Sequence, residues 1–377
     1  MINKERLVEN FCDLVMVDSV SKQERLMADI IKEELTRMGY SPKEDKAGEA
    51  IGGNAGNVIV KIPGTINAEP LLFVAHMDTV EPGHGKVPVI DGDIIKSDGN
   101  TVLGGDDLAG VACILEAIRV IREQNIPHGD VYAVFTIAEE IGLLGAKELD
   151  VSKIPAKFAY VLDDSGPVGS AAIRAPYYNQ FSITIKGKSA HAGLCPEKGT
   201  NAIYAAAKAI ASLPFMGRID EDTTCNIGVI NGGRSRNIVP DEVTMEGEIR
   251  SIYEDKINKY TKHITDTIEK VATGEGCTVK FDINRNHDGY NIPEDHPVLL
   301  LMKEATDRLG IKLSLHSTGG LSDTTVINNK GIPAVDISIG MTNVHCTQEQ
   351  IAISDLVKVS SLLIEIIRIN GEKGAVV

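Results

Sequence analysis

Histidines and carboxylates recur in this sequence where short apolar runs end: His76 and Asp78, Asp106, the pair Glu139-Glu140, Asp163 and, far downstream, His345. Imidazole and carboxylate are ligands that suit Zn2+. Two histidines with three carboxylates, one of them bridging, make two neighbouring N/O sites. The chemistry such a set points to is two-metal hydrolysis, in which bound cations make water a nucleophile near neutral pH. Leu71 to Ala75 leads into His76, Val131 to Ile137 into Glu139, and Ala159 to Leu162 into Asp163. Apolar runs of this length read as buried parallel strands, and ligands of α/β proteins gather beyond the carboxyl ends of such strands.

Side chains alternate along an extended segment, so His76 and Asp78 share one side of it. Asp78 can then accept the second imidazole N–H and set the tautomer that binds metal. A surface histidine beside a turn aspartate explains the pair as well when it is taken alone. Gly104-Gly105-Asp106-Asp107 opens a helical stretch, where an acid usually serves as a cap. The glycine pair also lets backbone approach an ion, which favours Asp106 as a ligand and Asp107 as support for the helix start. Adjacent Glu139 and Glu140 repel unless a cation compensates them. One can ligate while the other acts as general base toward water. Asp163 directly follows its apolar run and is preferred over Asp164. Asn343-Val344-His345 follows a strand at 332–339 and a turn at Gly340. His84, His128, His263, His287, His296 and His316 lack such placement and read as structural or surface residues.

The elements that must position these groups alternate. Helical patterns cover 4–16 and 22–38, the second with Ser21 as N-cap and Glu24 at capping-box spacing. Strands at 57–61 and 71–76, a helix at 107–123 and strands at 130–137 and 159–163 predict a mostly parallel sheet wrapped by helices. After Pro176 the order becomes strand 180–186, helix 201–213, strands 223–230 and 242–250, helix 254–271 and strand 278–284, a βαββαβ ferredoxin-like arrangement. Helix 297–309, strand 312–316, helix 323–329, strand 332–339 and helix 353–369 complete the chain. The architecture expected is an α/β domain over 1–177 and 287–377, interrupted by an α+β domain over 178–286. A length of 377 residues agrees with more than one core. The formal charge of −15, from 53 acidic and 38 basic residues, excludes nucleic acid and anionic membrane as main partners. Six cysteines (Cys12, Cys113, Cys195, Cys225, Cys277, Cys346) without a CxxC pair fit reduced thiols. No apolar run approaches the ~18 residues of a membrane span. A soluble cytoplasmic protein is expected.

Taken in order, these blocks resemble the peptidase T branch of the dinuclear metallopeptidase superfamily, which also holds bacterial glutamate carboxypeptidases, aminoacylases and succinyl-diaminopimelate desuccinylase. The resemblance spans essentially the whole chain. It rests on His76-Met77-Asp78-Thr79, Gly104-Gly105-Asp106-Asp107, Glu139-Glu140, Ser189-Ala190-His191-Ala192-Gly193 and Asn343-Val344-His345. It implies a zinc-exopeptidase-like catalytic domain with an inserted lid and dimerisation domain. It also implies two Zn2+ per subunit, with Co2+ or Mn2+ as substitutes: His76 and Asp163 on one, Glu140 and His345 on the other, and Asp106 bridging. Glu139 becomes the general base and Asp78 the residue that orients His76. His191 is implied as a donor to the scissile carbonyl oxygen, and Arg250 as the grip on a substrate carboxylate. Asn231, Asn237 and Gly319-Gly320 with Asp323 fall where relatives contact substrate.

The activity implied is that of a metal-dependent exopeptidase on short peptides. An aminopeptidase releasing the N-terminal residue of tripeptides, working as a homodimer, is the first expectation. Leu108 departs from the lysine that many relatives carry after the second acid. Asp163 stands where carboxypeptidase members tend to carry Glu, and in this it resembles the aminopeptidase-like and aminoacylase members. The alternatives are an N-acyl amino acid amidohydrolase or carboxypeptidase, reading a free carboxylate through Arg250, and a non-catalytic metal-binding relative. An intact Glu139 speaks against the last, because a structural site needs no base.

Overall fold

The computed structural model describes residues 2–374. The chain divides into two compact units, one made of the residues up to Ile173 together with those from Ile292 onward, the other of Arg174–Asn291.

In the first unit the strands Lys43–Glu44, Val58–Ile62, Val131–Thr136, Leu71–His76, Phe158–Asp164, Ala334–Ser338 and Ser170–Ala175 lie side by side in that order. Leu71–His76 runs parallel to both its neighbours, and Ala334–Ser338 runs parallel to Phe158–Asp164. Every residue of Leu71–His76 and Val131–Thr136 is buried, as expected of strands covered on both faces. On one face Leu72, Val74, Val134 and Val161 pack with Leu149, Ile154 and Ile327. The helices Lys4–Val15, Gly105–Glu123, Pro297–Leu309 and Ile353–Gly374 pack against one another. Gly105–Glu123 is buried without a break from its first residue to Ile118. The one charge in the middle of that helix, Glu116, is met by the guanidinium of Arg6 at 2.8 Å, which satisfies a carboxylate that burial would otherwise penalise. No helix of the described residues is long and apolar enough to cross a membrane.

The second unit is a five-stranded antiparallel sheet ordered Gly217–Asp220, Thr223–Gly232, Glu242–Ser251, Tyr177–Lys186, Thr278–His287. Setting aside the short Gly217–Asp220, its strands follow the ferredoxin-like order. Ile183, Ile185, Val243, Met245 and Ile249 face the helices Ala202–Ala211 and Glu254–Gly274, which answer with Ala205, Ala209, Ile264 and Ile268. The core is one-sided because the side chains of a strand alternate.

Two local expectations need correction. Ser21 and Glu24 do not form a capping box: the second helix is Arg25–Arg37, Glu24 is its N-cap without a capping bond from its own side chain, and Asn54 Oδ1 accepts from Arg25 N at 2.9 Å. Both side chains are taken by the site, as described below. The hairpin Pro88–Asp91 with Ile94–Ser97, the strand Ser170–Ala175 and Gly217–Asp220 are elements beyond those expected. Ile94–Ser97 pairs with Gln350–Ala352 from the far end of the chain, a partner that local pattern cannot reveal. The helix Pro297–Leu309 agrees to the residue, because Pro297 starts it and Gly310, at φ 66°, stops it.

Asn57 is fully buried at the point where the strand Val131–Thr136 runs out. Its Nδ2 donates to Asp45 and to the Gly145 carbonyl at 2.7 and 2.9 Å, and its Oδ1 accepts from Ile137 N at 3.1 Å. Asn57→Ala orphans these groups at ~1–3 kcal/mol each. The expected result is a clearly lower denaturation midpoint, and an unchanged midpoint would mean that water replaces the amide.

Candidate active site

Parallel strands carry their carboxyl ends to one edge of the sheet, and the candidate residues gather there. His76 ends its strand and is buried. Its Nδ1 lies 2.8 Å from the Asp78 carbonyl oxygen, which can only accept, so Nδ1 carries the proton of the neutral ring. That leaves Nε2 with a free lone pair that could ligate a cation, and it faces Asp106 Oδ1 at 3.1 Å and Asp163 Oδ1 at 3.5 Å. His345 Nε2 stands 3.1 Å from Asp106 Oδ2 and 3.0 Å from Glu140 Oε2. The two oxygens of Asp106 therefore each meet a different imidazole. Ligand atoms of His76, Asp106 and Glu140 all lie within 4.8 Å of one another, and those of His76, Asp107 and Asp163 form a second such group.

Buried like charges raise one another. Burial, then the Asp106 charge, pushes Asp163 well above the carboxylate range. Burial, then Asp163, does the same to Glu139. Burial would raise Asp106 too, but hydrogen bonds from His345 and His76 hold it low. His345 is raised to about 10 by Asp106 and then Glu140. Two imidazoles among carboxylates that raise one another form a donor set that fits divalent cations, whose charge removes the conflict.

The backbone around these groups is held by further acids. Asp78, fully buried, accepts from Glu139 N at 2.9 Å, Glu140 N at 3.2 Å and Ser21 Oγ at 2.6 Å. Its carboxylate stays 3.5 Å from His76 Nδ1. The close contact that orients the ring is thus the Asp78 carbonyl, where the carboxylate was expected, and the carboxylate instead secures the two glutamates. Glu24 Oε1 accepts from Ala138 N at 3.0 Å. Three successive N–H groups, at 138, 139 and 140, end on two buried carboxylates. Asp107 accepts from Gly110 N and from His76 N, both at 3.1 Å, so it supports the helix start and also the strand end. Asp106 and Asp107 have non-helical φ/ψ within that helix. Asp336 Oδ1 accepts from Asp163 N at 3.0 Å. Ser21, Glu24 and Asp336 were missed as site residues. An acid inside the apolar run Ala334–Ile337 was the one available signal.

The remaining expected residues are distributed as follows. Gly319 and Gly320 are exposed in the turn before the helix Asp323–Asn329, where Gly320 N donates to Thr318 Oγ1 at 3.0 Å. Asp323, expected at substrate, is 1% exposed and accepts from Thr136 Oγ1 at 2.6 Å, so it supports a strand end. His191, Asn231, Asn237 and Arg250 belong to the Arg174–Asn291 unit. The exposed His191 accepts at Nδ1 from Gly193 N and Leu194 N at 3.2 and 3.1 Å. A backbone N–H only donates, so the proton of the neutral ring sits on Nε2. Asn237 O accepts from Ala192 N at 2.9 Å, beside that loop. Asn231 is paired with Thr244, whereas Arg250 is paired with Thr224 at the other end of the same two strands, about 20 Å away at the usual rise. The Arg250 guanidinium lies 4.4 Å from the Tyr178 ring centroid and meets both Glu248 oxygens at 3.1 and 3.2 Å.

Residues 178–275 match the peptidase dimerisation domain, and residues 57–180 match peptidase family M28. The whole fold is similar to that of aminopeptidase PepT from Bacillus cereus, with a TM-score of 0.94 and 41% identity over 97% of this chain and 98% of that one. It is similar also to a tripeptidase from Staphylococcus aureus, with a TM-score of 0.93 and 39% identity over 99% and 100%. Peptidase T of Fusobacterium nucleatum is 31% identical over 74% of this chain and 68% of its own length. With this α/β unit and its cluster of histidines and acids, the chain is a hydrolytic peptidase. Within that class it belongs to the peptidase T family.

Burial pushes Glu24 and Asp336 up to about 7 and Asp323 to about 6. Without metal, the folded protein keeps protons that the unfolded chain releases above pH ~4, so its stability falls as pH rises toward 7. The melting temperature of metal-stripped protein is expected to drop between about pH 5 and about pH 7.5, and added zinc to flatten that drop. A flat profile for the stripped protein would mean that these carboxyls ionise freely in the fold.

Proposed function

We propose that this protein is a metal-dependent aminopeptidase that removes the N-terminal residue of short peptides, tripeptides first. One observation carries the reading: Asp106 turns one oxygen to His76 and the other to His345, with buried Glu139 on the adjoining loop. Similarity to an aminopeptidase PepT and to a tripeptidase supports the substrate class.

In this reading His76 and Asp163 would hold one cation and Glu140 and His345 the other, with Asp106 the residue they would share. Zn2+ is the assignment for such N/O donors, with Co2+ or Mn2+ as substitutes. When bound, the pair supplies Lewis acidity toward the peptide carbonyl and lowers the pKa of water. Glu139 takes the proton of the attacking water and passes it to the leaving amine. Its carboxyl, raised first of all by burial, is a stronger base than an exposed glutamate. Asp78 keeps Glu139 and Glu140 in register through their N–H groups. His191 offers its Nε2–H as a donor for developing negative charge.

A homodimer through the Arg174–Asn291 unit completes the proposal. The match to a peptidase dimerisation domain supports it, and so does an open strand edge. Thr223–Gly232 pairs along its length with Glu242–Ser251 but meets Gly217–Asp220 only over residues 223–225. Val229 and Ile230 are exposed beyond that point, where a second copy can cover them. The six free cysteines favour a cytoplasmic setting. Arg250, engaged by Glu248 and Tyr178, gives little support to a carboxylate-reading enzyme.

Zinc-loaded protein given Ala-Ala-Ala, its N-acetylated form and its C-amidated form should cleave the free and amidated peptides only, as read by mass spectrometry of the products. Chelator should abolish both reactions. Cleavage that survives acetylation and fails on the amide would make the protein a carboxypeptidase or deacylase. Glu139→Ala should keep its metal and lose roughly 10²–10⁴ in kcat; full metal content with a near-normal rate would remove Glu139 as the base.

A further inference from the structure

Glu349 lies outside every motif above, four residues beyond His345, and is 1% exposed. Its Oε2 accepts from Gly104 N at 2.8 Å and its Oε1 from Asp106 N at 2.9 Å. One carboxylate therefore satisfies two N–H groups of the loop that presents Asp106. The approach is close: a Cβ added at Gly105 would stand 3.1 Å from Glu349 Oε1. At the other end, Glu349 N donates to Cys346 O at 3.1 Å and closes a turn that begins at the residue after His345. Asn343 and His345, just before that turn, hold left-handed φ of 56° and 61°, a conformation that needs its surroundings to hold it.

We propose that Glu349 is a positioning residue that ties the Asp106 loop to the His345 turn and so sets the affinity of the metal position these two side chains share. The inference rests on the reading of Asp106 and His345 as ligands. Asp106 and His345 are far apart in the sequence, and their separation in space decides whether one ion can touch both. The rest of the scaffold survives without the carboxylate. Gln350–Ala352 still pairs with Ile94–Ser97, and Thr342 with Gln350, through backbone alone. Loss of Glu349 is thus felt at the Asp106 amide before it is felt in the fold. Glutamine is no substitute, because its amide offers one acceptor oxygen where two N–H groups point. Aspartate keeps both oxygens and falls one methylene short.

The test is zinc titration of the full chain in competition with a chromophoric chelator, for wild type, Glu349→Gln and Glu349→Asp, with metal-free melting temperatures alongside. Wild type is expected to take two equivalents. Glu349→Gln should hold one of them ~10–100-fold more weakly, the usual scale for lost support behind a ligand, with the other nearly unchanged. A merely structural role would lower the metal-free melting temperature and leave both zinc affinities intact, and that result overturns the proposal. Should Glu349→Gln not fold, Glu349→Asp carries the same two outcomes. Wild type that fails to take two equivalents removes the two-metal reading itself, and this inference with it.

Discussion

Negative charge crowded into a buried place is the constraint that the first unit is built around. Asp106, Asp107, Glu139, Glu140 and Asp163 meet at the ends of strands whose other residues are apolar, with two imidazoles as their close partners. Carboxylates so placed raise one another's pKa and lack the water that would screen them. Such an arrangement persists when cations occupy it, and the rest of the molecule must hold it open in the meantime. A site built this way stores the free energy of metal binding in the repulsion that the metal relieves.

The means of holding it is itself acidic. Glu24, Asp78, Asp107, Asp336 and Glu349 each accept backbone N–H groups from the segments that present the ligands. A hydrogen bond from a neutral amide to a carboxylate is among the stronger kinds, and it places backbone where a side-chain contact would place only a rotamer. This second layer of acids adds to the negative field in front of it. Ser21 shows how far the demand reaches: a hydroxyl that could have capped its own helix donates to Asp78 instead.

The Arg174–Asn291 unit meets a different physical problem. A single sheet with helices on one face leaves the other face and its edges to be dealt with, and Val229 and Ile230 stand exposed along the edge at Thr223–Gly232. Two backbone donors settle which nitrogen of His191 carries the proton, a choice the residue type alone leaves open.

Much of this was legible in the sequence because it is local. Apolar runs of strand length followed by His76, Asp163 or the glutamate pair marked the strand ends, and Pro297 with Gly310 bounded a helix to the residue. Residue type also declared the chemistry, since imidazole and carboxylate in that number suit few purposes besides metal. Tertiary structure alone decided the pairings: which Asp106 oxygen meets which imidazole, that the Asp78 carbonyl rather than its carboxylate touches His76, and that Glu248 and Tyr178 engage Arg250. It decided as well that Glu24 and Glu349 serve loops distant in the chain. Period and propensity describe neighbours a few residues apart, whereas these contacts join segments up to several hundred residues apart, and only the packed sheet brings them within hydrogen-bonding distance.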